Sequence, residues 1–236
     1  MSLMRAHQAK FEKGQPVKVG NAGPGGKGTV NKGQLMQLLD TGLQVALTAL
    51  HALKSKSDKN NHKRDHLIPD FSEYVNRLMD KGWVHDLLPW YMVWCLDAGQ
   101  MAPALNVARY CMKKGLELDK DAFVRDIPSF VADEIHKWAE DAFKDGHSAE
   151  PYFSEVYDLV IHSGGTDPWA QHDEVRAKFF KLKGLMEYQA GNLEAARDNF
   201  EKGLALGATV KTVLAEVTKK LEDAGDTPDD FEDDAK

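Results

Sequence analysis

The spacing of the apolar residues constrains the fold of this chain more than any other feature of its sequence. Over residues 34–56, and in most of the chain from Leu67 to residue 222, they recur three and four positions apart, the period of a helix packed along one face. No segment convincingly shows the two-residue alternation of a half-buried strand. The sequence therefore predicts an all-α protein of helical hairpins with flexible termini.

The first helix is predicted over residues 34–56. Its apolar residues form a heptad seam of about two and a half repeats. The seam consists of Met36, Leu39, Leu43, Ala46, Leu50 and Leu53. A single stripe on an amphipathic helix packs either into its own core or against a copy of itself, so both interpretations stay open. Packing into its own core is the default for such a helix, and the polar segments on either side make self-association a rival.

Composition divides the 236 residues into four segments. We predict a flexible, basic, glycine-rich arm (1–33), the heptad helix with a basic linker (34–66), an all-α body (67–222) and a flexible acidic tail (223–236). No apolar run resembles a signal peptide or reaches the roughly 18 residues of a membrane span. Two cysteines are too few for a disulfide framework, so a soluble protein in a reducing compartment is expected.

Charge is distributed unevenly along the chain. Residues 1–66 carry 11 Lys and Arg against 4 acids, whereas the remainder carries 19 basic and 33 acidic residues. A basic arm on an acidic body is typical of proteins that hold a polyanion loosely, although charged termini are often only solvated. The predicted phosphate contacts are Lys10, Lys13, Lys18, Lys27, Lys32, Lys54, Lys56, Lys59, Lys63 and Arg64.

The stretch GNAGPGGKGT, residues 20–29, only superficially resembles a phosphate-binding loop. Such a loop needs Ser or Thr after its Gly-Lys pair and a glycine five residues earlier. Here Gly28 follows Lys27, Asn21 replaces the earlier glycine, and no buried strand precedes the stretch. The segment is predicted to be part of the flexible arm and not a nucleotide site.

No catalytic or metal-binding set emerges from the sequence. His62 and His66 have the i, i+4 spacing of zinc ligands on a helix, but no third ligand is placed near them. A metal-dependent nuclease needs converging carboxylates, and neither Asp70 nor the pair Glu117 and Asp119 stands on a predicted strand. We therefore assign no catalytic residue, no metal ligand and no cofactor.

An internal repeat indicates stacked hairpins. Ala98-Gly99-Gln100-Met101 matches Ala190-Gly191-Asn192-Leu193 at an offset of 92 residues, each between two predicted helices. In the second copy, four residues fall on positions typical of tetratricopeptide hairpins: Gly184, Gly191, Ala196 and Phe200. Packing of tetratricopeptide type is therefore predicted. The helix leading into this copy is predicted to be capped near Asp167, with Pro168 next.

Two blocks resemble a known family. They are WYMVWCLDAGQMAPALNVARYCMKKGLEL, residues 90–118, and DEVRAKFFKLKGLMEYQAGNLEAARDNFEKGLAL, residues 173–206. Both resemble the gpM-type small terminase subunit of tailed phages. In the first block the matching residues are Leu96, Asp97, Gly99, Ala104, Leu105, Ala108, Arg109, Tyr110, Gly115 and Leu116. A weaker likeness in the basic region extends the match to roughly residues 34–220.

The resemblance implies a role in viral DNA packaging in the cytoplasm of a bacterial host. A small subunit of this kind is expected to bind the packaging site of phage double-stranded DNA. It is also expected to recruit and regulate the large ATPase-nuclease subunit. We expect it to form a homo-oligomeric ring and not to bind a membrane. The family is often labelled the terminase endonuclease subunit, so cleavage with Mg²⁺ is one alternative. A helical-repeat adaptor that does not bind DNA is another. The acidic tail and the glycine-rich arm depart from the family pattern.

Overall fold

The computed structural model describes residues 31–225, which are helical and contain no strand, so the predicted all-α class is confirmed. Most of the predicted arm (1–30) and of the predicted tail (226–236) lies outside the described residues. The chain divides into two compact units, residues 1–127 and 128–236, called here the first and second units. The four segments inferred from composition stay a prediction about its organisation.

Helix α1 (Lys32–Ala52) opens the described part of the first unit. Asn31 starts it with a capping box, because its side chain accepts from the Gln34 amide at 2.9 Å and its own amide donates to the Gln34 side chain at 3.3 Å. The helix ends four residues before its predicted end, since Leu53 is extended and Ser55 caps the next helix. One face of α1 is buried in the fold.

The segment predicted as a polar linker is helical. Helix α2 (Lys56–His62) runs through a π-helical turn (Lys63–Leu67) into α3 (Ile68–Asp80) without a break. Pro69 explains the turn, because a proline inside a helix cannot donate to the preceding turn and its ring crowds the carbonyl there. The wider π turn, in which the Ile68 amide donates to the Lys63 carbonyl, accommodates that ring.

Two further helices complete the main body of the first unit. Helix α4 (Leu87–Asp97) is buried nearly all round and forms a hairpin with α5 (Met101–Lys114). Trp94 is fully buried and packs against Phe71 of α3, with ring centroids 5.6 Å apart. Trp90 makes an edge contact with Phe123 at 5.3 Å. Both tryptophan rings therefore take part in the aromatic packing of the first unit.

The second unit contains α6 (Ile127–Lys144), α7 (Tyr152–His162), α8 (Asp173–Gln189), α9 (Leu193–Ala205) and α10 (Lys211–Gly225), with the first residue of α6 belonging to the first unit. Phe153 of α7 stacks on Phe179 of α8 with ring centroids 5.6 Å apart. Helices α8 and α9 approach closely, because a Cβ on Gly184 would lie 2.6 Å from the Phe200 ring. Tetratricopeptide-like packing stays a prediction.

The two turns of the internal repeat have the same backbone. Gly99 and Gly191 are both left-handed, with φ of +75° and +83°. The following amides, of Gln100 and Asn192, return to carbonyls five residues earlier at 2.8 and 2.9 Å. Each is a Schellman ending of one helix followed at once by the next. The repeat found in the sequence thus marks a repeated helix–turn–helix connection.

The predicted start of α8 is wrong. Asp167 does not begin a helix, because its side chain accepts from the Trp169 amide at 2.7 Å within a loop, and α8 starts only after His172. Within residues 31–225, no helix combines the length and apolarity needed to cross a bilayer.

Candidate nucleic-acid interface

The predicted phosphate contacts fall into three sets. Lys10, Lys13, Lys18 and Lys27 lie outside the described residues. Lys32 is the first residue of α1, where it is exposed and its Nζ lies 5.2 Å from the centre of the Trp83 ring. The remaining five follow the other end of α1. Since α1 has 21 residues, Lys32 is separated along the helix from this last set by about 30 Å.

Three of the last set lie around the start of α2. Lys54 and Lys56 are exposed and Lys59 is half-buried, and no ion pair in the described part of the chain involves them. Ser55 fixes their relative position by capping α2, although its contact with the Asp58 amide is long at 3.4 Å. These lysines can therefore offer uncompensated positive charge to a phosphate.

Lys63 points into the fold. Its side chain is 11% exposed, and Nζ donates to the Asp97 carboxylate at 2.5 Å. The π turn places Lys63 on this inner side, and Asp97 ends the buried helix α4. Asp97 belongs to the motif on which the family resemblance rests. In this structure the Lys63 charge is used to hold α4 to the π turn.

Arg64 is exposed but already paired. Its guanidinium forms two hydrogen bonds with the neighbouring Asp65 carboxylate, at 2.8 and 3.1 Å. The hydrogen bond from Arg64 holds the pKa of Asp65 below its usual value. An exposed pair of this kind is weak, so DNA could displace the carboxylate, but Arg64 brings less net charge than the free lysines.

The two histidines of the former linker form a small cluster. The rings of His62 and His66 lie 5.1 Å apart. Partial burial lowers the pKa of His62, the charge of His66 lowers it further, and Asp70 opposes both effects. His62 therefore carries less positive charge at pH 7 than a histidine with an ordinary pKa. Among residues 31–225, no three side chains of His, Cys, Asp or Glu are grouped so as to hold a metal ion.

The thiols offer no nucleophile. Cys95 and Cys111 are fully buried, and burial raises the pKa of each thiol to about 12. Both are therefore protonated at neutral pH, and only the thiolate is a strong nucleophile.

The seam predicted for oligomerisation is mostly inside the fold. Leu39, Leu43, Ala46 and Leu50 are buried, together with Leu35, which the heptad pattern missed. Met36 and Leu53 are half-buried. The buried residues are 4, 4, 3 and 4 positions apart. The buried face of α1 therefore starts at Leu35, one residue before the first residue of the predicted seam, Met36. Participation in a self-associating surface stays a prediction for all six seam residues.

Sequence reasoning also missed exposed lysines close to Lys32. Lys81 follows α3, and Lys114 ends α5 with its Nζ beside Gly82. They were overlooked because they lie in the net-acidic part of the sequence. A detectable signal existed, since helix C-termini next to glycine often carry basic residues.

With this geometry established, the comparison with known proteins is decisive. The family described as phage small terminase subunit matches residues 41–167, slightly more than half of the chain. This chain belongs to that family. The match runs from α1 through α7 into the loop before α8, and it includes the basic start of α2, the Lys63–Asp97 pair and Trp83.

Two curated relatives of this terminase family member extend the match. A probable terminase endonuclease subunit of Haemophilus phage HP1 (strain HP1c1) is 29% identical over 163 residues, which cover 67% of this chain and 56% of that protein. The terminase endonuclease subunit of Escherichia phage P2 is 30% identical over 177 residues, covering 73% of this chain and 68% of that protein. The chain thus spans little more than half of the HP1 relative. No solved structure matches it significantly.

The Lys63–Asp97 pair allows a test of whether Lys63 is structural. Replacing Lys63 with alanine should lower the free energy of unfolding by about 1–3 kcal/mol, because Asp97 would stay partly buried without its cation. Urea denaturation followed by circular dichroism measures the change. Lys59→Ala is the matched control and should alter stability by less than about 0.5 kcal/mol. Unchanged stability with weakened DNA binding in Lys63→Ala would instead make Lys63 a phosphate contact.

Proposed function

We propose that this terminase family member is the small subunit that binds double-stranded phage DNA at the packaging site and brings the large ATPase-nuclease subunit to it. The observation that carries the proposal is the set of unpaired, exposed lysines near both ends of α1, in a chain of this family. The names of the HP1 and P2 relatives support a terminase role.

Phosphate neutralisation is the proposed binding mechanism. Each lysine that contacts a phosphate releases condensed counterions, so affinity falls by roughly 0.9 log units per contact for each log unit of salt. Lys32 and the group around Lys56 are separated by about 30 Å along α1, close to one helical turn of duplex DNA. The two groups could thus contact one face of the same duplex.

Lysine contacts alone do not read sequence, since they position a protein on the backbone. Preference for the packaging site would have to arise from repeated weak contacts by several subunits or from the shape of the DNA. Self-association into a ring is therefore part of the proposal. The acidic residues 223–236 are proposed to dock onto the large subunit, or to compete with DNA for the basic arm.

Removing residues 1–30 tests the contribution of the arm. This truncation keeps the Asn31 cap, whereas removal of residues 1–66 would delete buried core residues of α1. We expect the dissociation constant for duplex DNA to rise at least about tenfold at low salt, and the salt slope to become shallower by about four. Fluorescence anisotropy at several salt concentrations measures both quantities. Equal affinity of the truncated and full-length proteins would eliminate the arm as a DNA contact.

A second candidate function is metal-dependent DNA cleavage, which only the names of the two relatives favour. Purified full-length protein incubated with Mg²⁺ and linear duplex DNA, without the large subunit, tests it. Cleavage that co-purifies with this chain through successive columns would support an intrinsic nuclease. Intact DNA under conditions where the protein binds it would favour the recognition role.

A further inference from the structure

The turn between α3 and α4 presents a compact surface, defined here as the Trp83 surface: Lys32, Lys81, Trp83, Lys113 and Lys114. Trp83 is half-buried, the four lysines are exposed, and the neighbouring Val84 is 52% exposed. These residues come from the start of α1, the turn after α3 and the end of α5. The fold thus brings together lysines that are far apart in the sequence.

Three distances place two of the four lysines, Lys32 and Lys114, at the turn. The Nζ of Lys32 lies 5.2 Å from the centre of the Trp83 ring, a cation–π distance. The Nζ of Lys114 lies 3.5 Å from the position that a Cβ on Gly82 would occupy. It also lies 5.7 Å from the centre of the Tyr110 ring. Lys81 precedes Gly82 in the turn, and Lys113 precedes Lys114 in α5.

The backbone under this surface is held in place. Gly82 is left-handed with φ of +67°, and the Trp83 amide donates to the Leu78 carbonyl at 2.9 Å, which closes α3 as a Schellman ending. The Tyr110 hydroxyl donates to the Trp83 carbonyl at 2.8 Å and so joins the turn to α5. A preformed surface loses little conformational entropy when it binds.

The charge of the Trp83 surface is uncompensated. Within residues 31–225, no ion pair involves any of its four lysines, and the exposed acids flanking the turn, Asp80 and Asp86, are not paired with them. Some exposed lysines elsewhere have carboxylate partners on their own helices, as Lys144 does with Glu140 at 3.1 Å, whereas others, such as Lys137 and Lys202, have none among the described residues. Uncompensated lysines near one another repel, and a polyanion relieves that repulsion.

We propose that the Trp83 surface binds the phosphate backbone of duplex DNA. This inference rests on the proposed function and adds Lys81, Trp83, Lys113 and Lys114 to the contacts that the sequence predicted, of which Lys32 is one. The chain enters the described fold at Asn31, directly before Lys32, so the basic residues of the arm are covalently joined to the start of α1. One stretch of DNA can therefore engage the arm and the Trp83 surface together, which raises their effective concentration for each other.

The competing explanation is that Lys81, Lys113 and Lys114 only stabilise helix C-termini through the helix dipole. That explanation predicts an effect on thermal stability and none on DNA affinity. The proposal predicts a loss of DNA affinity with little change in thermal stability. An exposed lysine contributes little to stability, whereas a phosphate contact contributes directly to binding.

The test uses the full chain with the double substitution Lys81→Ala and Lys114→Ala. We expect the dissociation constant for duplex DNA to rise about tenfold at low salt and the salt slope to become shallower by about two. The matched control is Lys137→Ala with Lys202→Ala, two exposed lysines in the second unit without ion pairs, which removes the same charge. The control should change the dissociation constant by less than about twofold.

The single substitution Lys32→Ala is the second variant and should weaken binding about threefold. Thermal unfolding by circular dichroism identifies any variant that fails to fold. Wild-type-like binding by folded Lys81→Ala/Lys114→Ala overturns the inference and leaves the proposed function standing. An equal loss in the control pair, or binding of single strands only, also overturns it. Failure of the wild-type chain to bind duplex DNA would overturn both proposals.

Discussion

Replacing Phe200 with alanine should lower the free energy of unfolding by about 3–5 kcal/mol, the usual cost of deleting a buried phenylalanine ring. Phe200 is completely buried in α9, and its ring occupies the space that a side chain at Gly184 would need. It belongs to a cluster with Ala196, Val210 and Val217, which joins α9 to α10. Its loss would leave a cavity between three helices of the second unit.

Chemical denaturation followed by far-ultraviolet circular dichroism measures this effect. Because the chain has two units, the unfolding curve should be fitted for one and for two transitions. Lys202→Ala, on the exposed side of the same helix, is the control and should change stability by less than about 0.5 kcal/mol. Gly184→Leu should also destabilise the hairpin, by overpacking. A wild-type curve for both Phe200→Ala and Gly184→Leu would refute the close approach of α8 and α9.

The second large effect is expected at Leu43, where alanine should reduce the free energy of unfolding by about 2–5 kcal/mol. Leu43 is 4% exposed and lies in the buried row of α1. Two residues along, Val45 is 39% exposed and contributes little to the core. Its replacement by aspartate should change stability by less than about 1 kcal/mol.

The variants Leu43→Ala and Val45→Asp together distinguish a role of α1 in folding from a role in self-association. If α1 also joins copies of the chain, it must do so mainly through residues left accessible, such as Val45 and the half-buried Leu38. Light scattering should then show dissociation for Val45→Asp at wild-type stability. Leu43→Ala should chiefly unfold the chain. Selective dissociation of a stably folded Leu43→Ala protein would mean that the seam binds another copy and does not build the first unit.

The helical class and most helix positions could be predicted from the sequence because local signals specify them. The period of the apolar residues located α1 and the helices from α3 onward. The glycine repeat located two hairpin turns that have the same left-handed backbone, at Gly99 and Gly191. Asn31 and Ser55 escaped notice although both are good N-caps, and this omission shifted the predicted ends of α1.

Contacts between residues far apart in the sequence could not be predicted from local signals. The polar composition of residues 55–66 predicted a linker, but the segment becomes helical because Lys63 has a partner 34 residues away in Asp97 and Leu67 enters the core. Nothing in the local sequence distinguishes Lys63, which is buried, from Lys56, which is exposed. Lys81 and Lys114 were missed because they lie in the net-acidic part of the sequence, although each stands next to glycine at a helix C-terminus.

The measurement that tests the central claim most directly is anisotropy of labelled duplex DNA titrated with the purified full-length chain. It should be made at about 50 mM and about 200 mM salt, with a packaging-site duplex and a scrambled duplex of equal length. We predict saturable binding at the lower salt, a loss of at least about tenfold at the higher salt, and tighter binding of the packaging-site duplex. Absence of binding at the lower salt, or affinity that does not respond to salt, would contradict a DNA-binding role built on these lysines.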